Sequence, residues 1–207
     1  MNNHRSSPEG GIFIVISAPS GTGKTSICRE MFRMFPNLRF SVSYTTRRPR
    51  PNEIDGQDYH FISEREFLEG IERGEFAEWT ENYGNYYGTS KKTMMTFLEQ
   101  GCDLILDVES AGAKALKENF SPGVFIFIMP PSLEELKVRL RKRGSESDDA
   151  LERRLRNALN EIKEIGLYDY VIFNDNLEAA VDRFRSIYVA EKCRRERLHQ
   201  RIKDFFN

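Results

Sequence analysis

A stretch near the start of the chain, Ile12 to Ser26 with the sequence IFIVISAPSGTGKTS, limits what the rest can fold into. Apolar and β-branched residues run into a glycine-containing turn and then into Lys24 and Thr25, which is the order strand, phosphate loop, helix. Such a loop turns successive backbone N–H groups inward around phosphate oxygens. Here Ala18, Pro19, Ser20, Gly21, Thr22 and Gly23 would form the cradle and Lys24 would reach the β/γ-phosphates. Thr25 would offer a hydroxyl to Mg²⁺, and Ser26 would lie in a helix whose positive end faces the anion. The implied ligand is ATP or GTP. The usual pattern opens with glycine, where this chain has Ala18. A Cβ fits there at negative φ, and Gly21 and Gly23, where backbone comes closest to phosphate, are unsubstituted. The alternative is a glycine-rich turn that binds nothing; a strand before it and a helix after it argue against that.

The remainder is long enough for one compact domain with inserts, since 207 residues with 39% apolar side chains can build a sizeable core. A balance of 31 basic against 32 acidic residues gives no global field toward nucleic acid or membrane, so any anion site must be local. Cys28, Cys102 and Cys193 are odd in number and lack close pairs, and His4, His60 and His199 are scattered. That argues against a disulfide framework or a zinc site and fits a reducing cytoplasm. No apolar run is long enough for a membrane span.

Taken in order, residues 1–11 read as a loose tail and Ser26 to Phe35 as a helix with Ile27, Met31, Met34 and Phe35 facing the core. Phe40 to Pro51, FSVSYTTRRPRP, is expected to start as a short strand and end as a second anion site, with the planar forks of Arg47 and Arg50 suited to a monophosphate. An exposed basic turn would explain the same residues. From Asp58 to Gly88 aromatics and acids crowd into a small α/β insert containing the capping box Ser63-x-x-Glu66. Tyr59 and Tyr87 can donate hydroxyls or stack, and Glu78 can read a base; equally, the aromatics can be the insert's own core. Ser90 caps a helix, and Asp103 to Val108 is a buried strand that places Asp107 beside the phosphate loop, able to act on Mg²⁺ directly or through water. Glu109 follows, as ligand or simply as a helix-starting acid. Val124 to Met129 is another buried strand. Arg139 to Gly144 then forms a basic hinge, with Arg153 and Arg154 beyond it. Tyr170 to Asn174 is the last strand, and Leu177 to Ile202 reads as one long helix with Ala180, Phe184, Ile187 and Val189 inside.

This order of parts resembles the guanylate kinase family over about residues 12–190. The carrying segments are SAPSGTGK at 17–24, SVSYTTRRPR at 41–50, GQDYHF at 56–61, FAEW at 76–79, GNYYGTS at 84–90, LDVE at 106–109, RLRKRG at 139–144 and VIFND at 171–175. The resemblance implies that Ser43, Glu78 and Glu109 read guanine, with Thr89 near the base, and that Arg47, Arg50, Tyr59 and Tyr87 hold the GMP phosphate. It also implies that Arg139, Arg143 and Arg154 are lid and phosphate arginines, that Lys24, Arg47, Arg143 and Arg154 assist transfer, and that Asn174 contacts the adenine of ATP. After the first acid of its strand the family usually has D-x-Q-G, whereas this chain reads Glu109-Ser110-Ala111-Gly112, without the glutamine.

The expected fold is an α/β phosphate-loop domain with a parallel sheet flanked by helices. Its core would be 12–40 plus 91–207, with a nucleoside-monophosphate-binding insert at 41–90 and a lid at 143–155. The expected reaction moves the γ-phosphoryl group of ATP to GMP, and to dGMP with it, using Mg²⁺, with no nucleic-acid or membrane partner; a homo-oligomer is compatible with it. A sugar-phosphate kinase would not need Ser43, Glu78 and Glu109. A non-catalytic phosphopeptide-binding module would not need Lys24 and Thr25.

Overall fold

The computed structural model describes residues 10–82, 84–120, 122–142 and 148–207. The chain runs β1 (Phe13–Ser17), α1 (Lys24–Met34), β2 (Leu38–Phe40), β3 (Tyr44–Thr45), β4 (His60–Phe61), α2 (Glu64–Glu72), β5 (Phe76–Asn82), β6 (Asn85–Ser90) and α3 (Lys91–Glu99). It continues through β7 (Asp103–Asp107), α4 (Ser110–Asn119), β8 (Val124–Met129), α5 (Leu133–Lys142), α6 (Asp148–Lys163), β9 (Tyr170–Phe173), α7 (Leu177–Lys192) and α8 (His199–Phe205). The segment expected as a tail lies outside the described residues up to residue 9; Gly11 already donates to the Leu98 carbonyl at 2.7 Å.

Five strands form a parallel sheet in the order β2-β7-β1-β8-β9. The central strand β1 is buried throughout, because both its faces are covered. Ile14 and Ile16 meet Ile27 and Met31 of α1 and Phe184 of α7, while Phe13 and Val15 join Met94 of α3 and Leu116 of α4. Cover on both faces is why β1, β7 and β8 read as near-continuous apolar runs. The register pairs Ile16 with Asp107, so the loop after β1 and the acid ending β7 emerge side by side at one edge of the sheet. Ser17 Oγ fastens them, donating to the Val108 carbonyl at 2.6 Å.

A second sheet, in the order β4-β3-β6-β5, comes from residues 44–90 and is antiparallel except between β3 and β4. Its helix α2 starts on the expected capping box: the Ser63 N–H donates to Glu66 at 2.8 Å and the Glu66 N–H to Ser63 Oγ at 3.2 Å. Phe67 of α2 is fully buried and stacks on Phe76 at 4.3 Å and on Tyr86 at 5.4 Å, so part of the aromatic density in this segment is core. Helix α4 packs along β5 and joins the two sheets. No helix among the described residues is long and apolar enough to cross a membrane.

Four local expectations are corrected. The segment Phe40 to Pro51 does not open as one strand, because β2 ends at Phe40 on the core sheet and the chain crosses to pair as β3 in the second. Helix α1 starts earlier than Ser26, at Lys24, and Met34 is exposed, since Ile27 and Met31 define its buried stripe. The last helix is interrupted after Lys192, where Arg194 and Arg197 turn back to the buried Glu191 at 3.5 and 3.6 Å. Within α7 Val189 is exposed and Tyr188 takes the inward position. Tyr188 donates to the fully buried carboxylate of Asp103, which also accepts from Lys192 at 2.9 Å and from the Ile12 N–H at 2.9 Å. Asp103→Ala would leave a buried backbone donor and a buried hydroxyl unpaired. It is expected to cost about 3 kcal/mol of stability, read as a shifted urea midpoint at unchanged slope.

Candidate active site

The phosphate loop is shaped by glycine geometry and by bonds from distant elements. Gly21 and Gly23 have φ of 90° and 97°, in the left-handed region that other residues rarely adopt. A Cβ on Gly23 would also sit 2.5 Å from Asn174 Nδ2. That amide donates to the Thr22 carbonyl at 2.6 Å, and Arg139 of α5 reaches the same carbonyl at 3.3 Å and the Asn174 carbonyl at 3.4 Å. Arg154 of α6 donates to Ser20 Oγ at 2.7 Å. Lys24 contacts Asp107. Burial alone would lower the Lys24 ammonium, but the adjoining Asp107 carboxylate holds it above its ordinary value. Cys28, one turn on, is buried, and that burial pushes its thiol up to about 12, which makes it packing rather than a nucleophile.

The loop floors a cleft of about 400 Å³ whose other walls come from the second sheet and from the ends of β7 and α6. Ser43, Arg50, Tyr59, Glu78, Tyr87, Asp107 and Glu109 all border it. Glu78 is 5% exposed. A bulge between Phe76 and Glu78 sets Glu78 opposite Thr89, whose hydroxyl donates to Oε1 at 2.6 Å. Its Oε2 lies where a Cβ on Gly112 of α4 would have to be. Desolvation raises the Glu78 carboxyl to about 7, with the Thr89 hydroxyl opposing the shift. The cleft therefore has anion-binding backbone at one end and buried or half-buried carboxylates at the other, fit for a ligand with phosphate at one end and N–H donors at the other.

Residues 11–191 match the sequence profile of the family described as guanylate kinase. The guanylate kinase of Syntrophus aciditrophicus is 58% identical over 192 residues, 93% of this chain and 92% of that protein. That of Geobacter metallireducens is 50% identical over 197 residues, covering 95% and 97%. The crystal structure of guanylate kinase from Anaplasma phagocytophilum overlays with a TM-score of 0.73 at 34% identity, covering 94% of this chain and 96% of that one. The chain belongs to the guanylate kinase family. It is accordingly a nucleotide-binding transferase, an ATP:GMP phosphotransferase in which ATP is the co-substrate.

Against that family, the residues anticipated from sequence fall into three groups. Ala18 to Thr25, Ser43, Arg50, Tyr59, Glu78, Tyr87, Asp107 and Glu109 converge on the cleft, and Thr89 stands behind Glu78. Arg47, Arg139 and Asn174 are instead engaged with protein. Arg47 forms a fork on Glu53, with both bonds at 2.8 Å, and lies over the Tyr59 ring at 5.3 Å. Asn174 is 6% exposed and its amide is taken up by Thr22. Ser26 lies in α1, and Arg143 lies outside the described residues, as do residues 143–147 of the anticipated lid.

Sequence reasoning passed over Glu53, Thr80, Asn82 and Glu161. The Glu53 carboxyl is held down to about 2, chiefly by the Arg47 hydrogen bonds, and its Oε2 also takes the Arg50 N–H at 2.7 Å, so it sets the shape of the arginine loop. Thr80 and Asn82 follow Glu78 at the two-residue period of β5, a pattern that would have found them. Glu161 lies two helical turns after Arg154 and borders the same cleft. Burial, then the neighbouring Glu109, raises its carboxyl to about 7. Gly112→Ala would drive a methyl into the Glu78 carboxylate. It is expected to cost about 1–3 kcal/mol of stability and to raise KM for GMP while leaving KM for ATP near its parent value, measured by steady-state kinetics with each substrate varied.

Proposed function

We propose that the two nucleotides meet in this cleft, with residues 41–90 acting as the GMP-binding insert and residues 143–155 as a lid. The observation that supports this best is the buried Glu78, oriented by Thr89 and facing the cleft whose floor is the phosphate loop. Guanine presents O6 as an acceptor and N1–H and N2–H₂ as donors. The Ser43 hydroxyl can donate to O6, and Glu78 and Glu109 can accept from the two nitrogens. Adenine offers an acceptor at N1 and a donor at N6, so AMP would leave buried groups unpaired. Arg50, Tyr59 and Tyr87 border the same cleft and in this reading hold the GMP phosphate. Arg47 contributes indirectly, through the loop it fixes with Glu53.

The N–H groups of residues 18–25 cradle the ATP phosphates in this reading, and Lys24 exchanges its contact with Asp107 for the charge that grows on the bridging and γ-oxygens. The accepting oxygen of GMP is already anionic near neutral pH, so alignment and charge neutralisation carry the reaction and no general base is required. Mg²⁺ fits the residues present. The exposed Thr25 hydroxyl and the Asp107 carboxylate, 38% exposed, are hard oxygen donors at the cleft, suited to an ion that takes its other ligands from phosphate and water. Once bound, it would neutralise phosphate charge. The free thiols Cys28, Cys102 and Cys193 fit a reducing cytoplasm as its place of work.

A coupled assay of ADP release over GMP, dGMP, IMP and AMP tests this directly. Efficient use of GMP with AMP nearly inert is expected. Lys24→Met should fold and lose nearly all turnover, and Glu78→Gln should lower the GMP to AMP preference. Equal use of AMP and GMP by the parent protein, or unchanged turnover in Lys24→Met, would refute the assignment. The pH dependence follows from Glu78, whose carboxyl is raised to about 7 in the free protein. Ionised, it accepts from guanine with both oxygens and with charge; protonated, it turns one oxygen into a donor, so GMP affinity should fall as the pH drops through that value. Titration calorimetry should show that fall to be steeper in the parent than in Glu78→Gln, where the ligand's own phosphate and Glu161, also raised to about 7, still titrate.

A further inference from the structure

Glu109 contacts the base in the reading proposed for this cleft, yet its own helix gives it no support. It stands at the N-cap of α4 without a side-chain cap bond. Ala111 has no polar side chain, and the hydroxyl of Ser110 pairs with Tyr168 at 3.4 Å. A carboxylate on three rotatable bonds at a helix start would sweep several orientations, and that freedom works against accepting from a single edge of a purine.

The structure supplies a partner from elsewhere. Asn82 ends β5, on the same side of the strand as Glu78 and Thr80, and all three border the cleft. Its Nδ2 donates to Glu109 Oε1 across 27 positions of sequence, from the second sheet to the first helix after β7. An ionised carboxylate is an acceptor only, so this bond uses the donor end of the amide and fixes one oxygen. A neutral donor also suits the place, because Glu78 and Glu161 border the same cleft and a further acid would be repelled by Glu109 and by them when ionised.

We propose that Asn82 is a positioning residue for guanine recognition: its side-chain amide holds one oxygen of Glu109 so that the other meets the base, and it thereby sets the preference for GMP over a purine lacking the 2-amino group. This rests on the reading of Glu109 as a base contact. Asn82 touches no reacting atom and acts only through Glu109.

The test is a kinetic cycle of Asn82→Leu, Glu109→Gln and the double variant, each assayed with GMP, IMP and ATP varied in turn and each melted thermally. Asn82→Leu keeps the branched heavy-atom skeleton and removes the donor. It should raise KM for GMP about ten-fold, the scale of one hydrogen bond to a charged group, with KM for ATP and kcat near parent values and a smaller change for IMP. It should add little on top of Glu109→Gln, and Asn82→Gln, which keeps an amide, should recover part of the loss. If Glu109→Gln weakens GMP but Asn82→Leu does not, or if Asn82→Leu moves the GMP and ATP constants together or only lowers the melting temperature, Asn82 is a structural clasp and the proposal falls alone. If Glu109→Gln leaves GMP untouched, the assignment of Glu109 to the base falls with it.

Discussion

The Thr22 carbonyl accepts from Asn174 Nδ2 at 2.6 Å and from Arg139 Nη1 at 3.3 Å, and the shape of the phosphate loop follows from those bonds. With that carbonyl taken up by Asn174 after β9 and by Arg139 of α5, the neighbouring peptide groups are left to present N–H to a ligand. The left-handed Gly23 completes the turn at a point where Asn174 leaves no room for a side chain. The cradle is therefore fixed by contacts within the protein, so the ordering cost of gathering several N–H groups around phosphate is met during folding. Residues that looked like ATP contacts in the sequence, Arg139 and Asn174, are the ones that fix it.

Charge is laid out on the same plan. Lys24 lies on Asp107, Arg47 on Glu53 and Arg154 against Ser20, so three cations assigned to phosphate chemistry have protein partners at the cleft or beside it. Each such contact keeps a long side chain near its working position. In the proposed reaction a nucleotide phosphate replaces the partner of Lys24 without the lysine crossing open solvent. Arg47 is doubly bonded to Glu53 and lies over the Tyr59 ring, whereas Arg50 is well exposed and borders the cleft.

Much of this was legible in the chain. The strand, loop and helix around Lys24 announce themselves because apolar period, glycine placement and a helix start all agree. Glu78 was identifiable because a carboxylate between apolar neighbours demands an explanation. What escaped had a weak local signal or none: the two-residue period of β5 puts Thr80 and Asn82 on the side of Glu78 but gives neither a partner. Glu161 is one acid among many on a charged helix, and Asn82 acquires meaning only when α4 packs against β5 and brings Glu109 within reach. The break between α7 and α8 escaped for a related reason: helical propensity continues through that stretch, and it is the pull of the buried Glu191 on Arg194 and Arg197 that redirects the chain.

Selectivity and transfer consequently rest on different foundations. The groups proposed for transfer, Lys24 and Asp107, sit at the edge of a parallel sheet covered on both faces, where the register of β1 on β7 and the Ser17 to Val108 bond set loop and acid side by side. The carboxylates proposed to read the base are split, Glu78 on β5 of the second sheet and Glu109 at the start of α4. Their relative placement therefore depends on how the insert seats on the core. Two contacts tie the second sheet to α4 beside these carboxylates: Gly112, which admits the Glu78 carboxylate only because it has no side chain, and the Asn82 to Glu109 bond. A shift of the insert large enough to break the second would misdirect Glu109 while leaving Lys24 and Asp107 where they are. Errors of fit at the base should thus be felt first in which monophosphate binds, and only secondarily in how fast a bound one reacts.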